Sequence, residues 1–372
     1  MYPDPVAQWA ARRPTQVAVW TRLRTVTYAE LDDMTARCAA ATAAVSTPGD
    51  LVGVVAARSV DFVASLWGVA RAGRVPVPLD PDMTGGEYAG RTVQFRLAAL
   101  TEPQQLVAGG ETTDAVPPAA GSPYVVVFTS GSHGEPKGVI LGWENIAAAA
   151  AASQRRLGTT ADDGWLATLP LHHIGGMSIL WRCGIAGATV VLESRFDAEV
   201  CADLLGEEAT VASFVPTMLR RVLAASERRW KGVRAVLVGG AASDPDLIAA
   251  ARRRGLPAVS TYGMTETASQ VATESPQHAD GETVGLPLDG VEVRINAGGR
   301  IEVAGPTVSP GYWGERLREG RWFTTGDLGE IGGDGRLRVV GRADDVIISG
   351  GLNVHPEVVE AVLSSHPRVL EA

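Results

Sequence analysis

The densest chemistry in this 372-residue chain lies in Thr129-Ser130-Gly131-Ser132-His133-Gly134-Glu135-Pro136-Lys137-Gly138, directly after the apolar run Tyr124–Phe128. Glycines let a backbone approach a ligand closely and expose its N–H groups, while hydroxyls add further donors. Lys137 adds a positive charge, and the set suits a polyphosphate. It is not a Walker A loop, because GxxxxGK[ST] fits nowhere in it. Glycine and serine alone would read as a flexible surface turn. The lysine changes that reading: of 33 basic residues only Lys137 and Lys231 are lysines, and arginine serves elsewhere. Arginine cannot imitate a compact point charge with rotatable donors.

A second constellation is Ser260-Thr261-Tyr262-Gly263-Met264-Thr265-Glu266-Thr267, read as following a strand at Leu256–Val259. Tyr262 can stack on a base, Thr265 can donate to a phosphate, and Glu266 can hold Mg²⁺, which prefers hard oxygen ligands and bridges phosphates. A third is Trp322-Phe323-Thr324-Thr325-Gly326-Asp327, where a carboxylate can take ribose hydroxyls bidentately. The fourth, Gly341-Arg342-Ala343-Asp344-Asp345 and onward to Gly350-Gly351, offers Arg342 to the same ribose or to a phosphate. Singly, each is an ordinary polar turn. Their order along one chain is what gives them meaning.

The elements that must carry these turns alternate between strand and helix. Thr27-Tyr28-Ala29-Glu30 reads as a capping box opening a helix to about Val45. Leu51–Ala56 has strand length, Ser59 opens a second helix that Gly73 ends, and Val75–Pro78 is the next strand. Residues 101–123 lack periodicity and read as a connecting segment. Further strands are expected near 124–128, 165–169, 188–192, 210–214, 234–238 and 257–260, with helices between them. Such alternation predicts parallel sheet with helices on its faces. After about Leu286 the texture changes to short β-rich segments with Gly and Pro turns. The six alanines Ala147–Ala152 read as a helix with a small-residue face.

Composition narrows the function classes. With 33 basic and 42 acidic residues the net charge is −9, which disfavours a nucleic-acid surface. Hydrophobic content of 45% and charged content of 20% fit a folded chain with a sizeable core. No apolar run reaches the roughly 18–20 residues of a membrane span. Met1-Tyr2-Pro3-Asp4 carries no export signal, so a cytoplasmic location is expected. Cys38, Cys183 and Cys201 are too few and too scattered for a disulfide framework or a zinc cluster.

Taken together, the motifs resemble those of the adenylate-forming superfamily of acyl-CoA synthetases, adenylation domains and luciferases, over essentially the whole chain. That family's phosphate loop usually reads TSGSTGxPKG; here His133 replaces a threonine, losing a hydroxyl but keeping an imidazole donor. The resemblance implies an α/β fold: a large N-terminal domain (1–343) of two doubly wound α/β subdomains plus a small β-barrel-like subdomain. Residues 344–372 would then be a hinge and the start of a small C-terminal α+β domain. It places ATP or AMP on Thr129, Ser130, Gly131, Ser132, Gly134 and Lys137, and on Gly239, Gly240, Ala241 and Ser243, which match the segment flanking adenine. Tyr262, Gly263, Met264, Thr265, Asp327 and Arg342 complete that site, with Mg²⁺ on Glu266. The implied reaction joins a carboxylate to the α-phosphate of Mg·ATP, releasing pyrophosphate, and a thiol then displaces AMP. Lys137, His173, Thr265 and Glu266 are the catalytic candidates. Positioning and charge neutralisation would carry such chemistry, with no protein nucleophile.

Leu169-Pro170-Leu171-His172-His173-Ile174-Gly175-Gly176-Met177-Ser178, together with the segment Thr261–Gln270, most resembles the o-succinylbenzoate–CoA ligases. Their substrate carries two carboxylates; one reacts, and the other needs a fixed partner in an apolar pocket. Arg182, about two turns from His173 on one helix face, is the candidate partner, with an arginine paired to a surface acid as the plainer alternative. His173, Ser178, Phe214, Val215, Thr217 and Ser269 are the other expected acyl contacts, and Gln270 a weaker one. CoA is the expected acceptor; the phosphopantetheine of a carrier protein would leave much the same sequence. A non-catalytic adenylate-binding protein is the third reading. The chain does not set the oligomeric state, a homodimer being one option.

Asp344 matches the family's hinge residue, and Gly350 and Gly351 match a loop that forms the thiol tunnel. The family continues for roughly another hundred residues beyond the hinge by resemblance, in a domain whose lysine reaches the reacting groups, and no lysine follows Lys231 here. The expectation for this polypeptide is therefore binding of ATP and acyl-adenylate with slow adenylation and very weak thioester formation.

Overall fold

The fold is described by a computed structural model over residues 4–108, 121–129, 136–242, 244–343, 347–349, 352–354 and 363. The first elements form as the local chemistry dictates. Thr27 caps the helix Tyr28–Val45, its hydroxyl accepting from the Glu30 N–H while Glu30 reaches back to the Thr27 N–H at 2.7 Å. Ser59 caps Val60–Arg71 in the same sense. These two helices pack closely because Gly68 faces Cys38. A Cβ on Gly68 would stand 2.3 Å from the Cys38 Cβ, so any side chain there would force the helices apart.

Four sheets position the chemistry. A small parallel sheet sets Leu51–Val55 between Val75–Leu79 and Ala99–Thr101. The last strand, and a short helix Pro103–Ala108, occupy the start of the segment expected to be a plain connector. The second sheet has nine strands. Its order is Leu286–Pro287, Ser269–Thr273, Ala258–Met264, Ala235–Val238, Val211–Phe214, Gly164–Ala167, Thr189–Leu192, Val17–Trp20, Thr25–Thr27. From Ala258–Met264 to Val17–Trp20 the pairings are parallel, and the remaining strands pair antiparallel. Parallel strands buried on both faces read as near-continuous apolar runs, as in Ala-Val-Leu-Val at 235–238, where every residue is buried.

The third unit is a four-stranded antiparallel sheet of Glu292–Ile295, Arg300–Ala304, Phe323–Ile331 and Leu337–Arg342. Its edge strands do not pair with one another among the described residues, so the barrel-like texture of the sequence appears as an open sheet. The hairpin Pro123–Thr129/Lys137–Gly142 carries the glycine-serine loop between its strands and pairs in turn with Gly311–Tyr312. The alanine run lies in the helix Trp143–Leu157, with Ala149, Ala150 and Ala152 buried as expected of a small-residue face. No helix among the described residues is long and apolar enough to cross a membrane.

Candidate active site

Parallel α/β sheets bind ligands beyond the carboxyl ends of their strands, where the strand order reverses. Here Gly164–Ala167 connects to Thr189–Leu192 on one side, and the chain then returns to Val211–Phe214 on the other. A cleft of about 300 Å³ opens at that switch point. Leu169, Pro170 and His173 line it after the first strand, Phe214 and Val215 after the third, and Gly239 and Gly240 after Ala235–Val238. Ser269 and Gln270 close it from the antiparallel strand.

Arg182 also lines this cleft. It sits in the helix Ile174–Ala186, is only 6% exposed, and donates from Nη2 to Ser269 Oγ at 3.0 Å. Its guanidinium carbon lies 5.2 Å from the centre of the Trp165 ring. No carboxylate among the described residues pairs with it, and burial pushes its pKa down to about 10, so it stays charged at neutral pH. A buried cation facing an apolar cleft without an acid is costly unless an anion joins it. The residue that holds it is itself constrained: Ser269 has φ 102° and follows Ala268 at φ 52°. The Thr267 hydroxyl steadies this turn, lying 3.1 Å from both the Met264 and the Ser269 carbonyl oxygens and able to donate to either.

His173 is exposed at the mouth of the cleft, its ring 4.2 Å from that of His172. His172 Nε2 lies 3.6 Å from Asp80 Oδ2. Burial is the main cause that lowers the pKa of both imidazoles, and His173 adds to it for His172, so both rings are neutral at neutral pH.

The expected nucleotide residues converge from different sheets. The strand Ala258–Met264 runs through Tyr262-Gly263-Met264 instead of ending before them, because it turns back tightly on Ser269–Thr273. The Tyr262 hydroxyl donates to Asp327 Oδ2 at 2.6 Å, and Arg342 Nη1 donates to Asp327 Oδ1 at 3.2 Å. Asp327 and Arg342 are direct cross-strand partners, which explains how residues 15 apart meet. Burial and the Asp327 carboxylate raise the Tyr262 pKa, keeping its hydroxyl a donor. Thr265 is buried in the turn that presents Glu266.

Lys137 pairs in register with Thr129 across the hairpin, and its ammonium lies over the Tyr312 ring at 4.9 Å. The Tyr312 hydroxyl donates to Glu266 Oε1 at 3.0 Å. The other Glu266 oxygen takes no hydrogen bond from the described residues, and no cluster of three His, Cys, Asp or Glu forms among them. A lone carboxylate of this kind fits Mg²⁺ that arrives with substrate phosphates and does not fit a permanent protein cage.

Two expected acyl residues do not reach the cleft. Ser178 lies one turn into the helix, buried, with its hydroxyl turned back to the Gly175 carbonyl at 3.1 Å. Thr217 is exposed in the first turn of Pro216–Ala225. Both follow from helix geometry, which turns consecutive positions away from any one face. Ala241 is exposed and Met264 half-buried at the strand ends beside Tyr262 and Gly240. Ser130, Gly131, Ser132, Gly134, Ser243, Asp344, Gly350 and Gly351 lie outside the described residues. Trp165 and Tyr312 were not singled out from sequence; each lies far along the chain from the residue it touches, and no spacing signals such a contact.

Comparison with known proteins agrees with this geometry. The family model for AMP-binding enzymes matches residues 6–101 and 90–313. The chain is 42% identical over 265 residues to a 2-succinylbenzoate–CoA ligase of Bacillus licheniformis, covering 66% of this chain and 55% of that enzyme. It is 33% identical to the Geobacillus kaustophilus 2-succinylbenzoate–CoA ligase over all of this chain and 83% of the relative. The matches to several such relatives thus span little more than half of their length. Among solved structures, an o-succinylbenzoate CoA synthetase from Bacillus subtilis in complex with its acyl-adenylate intermediate superposes with a TM-score of 0.93 at 31% identity. That superposition covers 100% of this chain and 84% of the other. The same enzyme with ATP and magnesium gives 0.89 at 30% identity, over 100% and 86%. Motif order, the strand-end cleft and these likenesses lead to one conclusion: the chain belongs to the AMP-binding enzyme family.

Proposed function

We propose that this chain activates 2-succinylbenzoate with ATP, forming the acyl-adenylate and pyrophosphate, and that the acyl group then passes to the thiol of CoA. The observation that carries the substrate is Arg182: a charged guanidinium buried at an apolar cleft, held by one hydroxyl and one ring, with no acid beside it among the described residues. A monocarboxylic substrate would use its single carboxylate at the phosphate and leave that charge uncompensated. A dicarboxylate brings the missing anion.

The remaining residues fit the two-anion problem of adenylation. Asp327, steadied by Tyr262 and Arg342, presents its carboxylate to the ribose hydroxyls. Lys137 at the hairpin supplies positive charge to the phosphates. Glu266, with Thr265 beside it, would hold Mg²⁺, which when bound neutralises charge on the triphosphate. The reacting carboxylate then lies between the His173 mouth and the nucleotide face, its partner carboxylate anchored on Arg182, so that attack on phosphorus becomes a matter of fixed approach.

Calorimetric titration with two non-hydrolysable sulfamoyl analogues tests the reading. One carries 2-succinylbenzoate, the other the same aryl group without the non-reacting carboxylate. Tighter binding of the first by about 1.5–3 kcal/mol, as expected of a charge-assisted hydrogen bond, supports it. Equal binding removes the substrate assignment while leaving the adenylate site.

A further inference from the structure

Glu266 and Lys137 stand 129 positions apart on different elements, yet metal-assisted chemistry on a triphosphate needs them at a fixed separation. The segment 309–313 touches both. Its strand Gly311–Tyr312 pairs antiparallel with the lysine strand, Gly311 opposite Ile140 and Tyr312 opposite Val139. The Trp313 N–H donates to the Gly138 carbonyl at 2.7 Å, next to Lys137 in sequence. Ser309 ties the other side. Its hydroxyl donates to the Ile140 carbonyl at 2.7 Å, and its N–H donates to the Glu266 carbonyl at 2.8 Å.

Tyr312 completes the link with its side chain. The ring lies beneath the Lys137 ammonium at 4.9 Å, and the hydroxyl donates to Glu266 Oε1 at 3.0 Å. Glu266 and Tyr312 share a second cleft of about 250 Å³ that Arg318 also lines.

From this geometry we propose that Tyr312 is a positioning residue: its hydroxyl orients the Glu266 carboxylate for Mg²⁺ while its ring sets the place of Lys137 over the phosphates. The inference rests on the adenylation reading above. A hydrogen bond to a ligating carboxylate fixes its direction and limits the entropy it loses when the metal arrives, and partners of this kind are commonly worth tenfold or more in metal affinity.

The test uses α,β-methylene-ATP, which cannot transfer its α-phosphate, with Mn²⁺ read by electron paramagnetic resonance. Tyr312→Phe keeps the ring and removes only the hydroxyl. It is expected to weaken Mn²⁺ in the nucleotide complex by about tenfold while leaving metal-free nucleotide affinity and Tm unchanged. Tyr312→Leu removes the ring as well, and is expected to weaken metal-free nucleotide binding by a further factor of about 2 to 5. Unchanged Mn²⁺ affinity in Tyr312→Phe overturns the proposal. So does an equal loss with and without metal, which would mark a general distortion of the site. Failure of the parent chain to bind the nucleotide at all would overturn the adenylation reading along with it.

Discussion

Replacing Arg182 by methionine separates two consequences of burying a guanidinium without a carboxylate. The fall of its pKa to about 10 corresponds to about 3 kcal/mol against the charged form. Opposing that are the hydrogen bond to Ser269 Oγ and the Trp165 ring, together worth about 2–5 kcal/mol. The two nearly cancel. Arg182→Met, which fills similar volume with apolar atoms, is therefore expected to leave the stability of the unliganded chain within about 1 kcal/mol of the parent. The ligand side does not cancel, because a second carboxylate would lose its only cation. The preference for the dicarboxylate analogue should fall by about 1.5–3 kcal/mol, or roughly 10- to 150-fold. Titrating both sulfamoyl analogues into parent and variant gives four affinities that close a double-mutant cycle, and urea denaturation supplies the stability. An unchanged preference in the variant would refute the reasoning. A stability loss above about 3 kcal/mol would also do so, by showing that the cation is already compensated in the free protein.

Asp327→Ala is expected to weaken AMP binding by about tenfold or more, since the carboxylate that Tyr262 and Arg342 hold would no longer take the ribose; equilibrium dialysis measures it. At Gly263 a Cβ would stand 1.7 Å from the Ser269 carbonyl oxygen, so Gly263→Ala must displace the turn that carries Arg182's hydrogen bond. Its expected cost is at least about 2 kcal/mol in urea denaturation, together with a reduced preference for the dicarboxylate analogue. For pH, burial holds the folded-state pKa of His172 below its unfolded value, so the unfolded chain binds the proton first. That contribution to stability is complete above about pH 6.5 and is lost as pH falls toward the lowered value, by at most about 1.4 kcal/mol per pH unit. His173 opens to solvent and adds less. Denaturation midpoints at pH 5 to 8 should show the decline, and His172→Asn should flatten it; a slope unaltered by that substitution would remove His172 as its source.

Much of the molecule was legible from sequence because its signals are local. The capping box at Thr27–Glu30 satisfies backbone donors within one turn, so the helix Tyr28–Val45 can be read from four residues. The strands at 235–238 and 211–214 are signalled by short, mostly apolar runs of strand length, as a sheet buried on both faces requires. The order of the phosphate, adenine and ribose motifs carried the family, because each motif keeps its chemistry on one short turn. Less local features escaped. The Tyr262 segment read as a turn after a strand, yet the strand continues through it, since its pairing partner Ser269–Thr273 is supplied only once the chain folds back.

What tertiary structure alone decided concerns convergence and isolation. Helix periodicity sets Arg182 half a turn away from the His173 direction, nine positions at 3.6 per turn with His173 at the N-cap. Only packing shows that both line one cleft, that no acid shares Arg182's surroundings among the described residues and that Trp165 and Ser269 do. Thr217 and Ser178 sit in the right motifs and still miss the cleft, because their places around their helices turn the side chains away from it. Tyr312 reaches Glu266 across 46 positions and Lys137 across 175, through a strand pairing that no periodicity encodes. Sequence specifies which groups are available and the local turns that present them. Distances between groups on different elements are set by the packing of whole sheets and helices, and that packing alone leaves Arg182 a buried cation between Ser269 and Trp165.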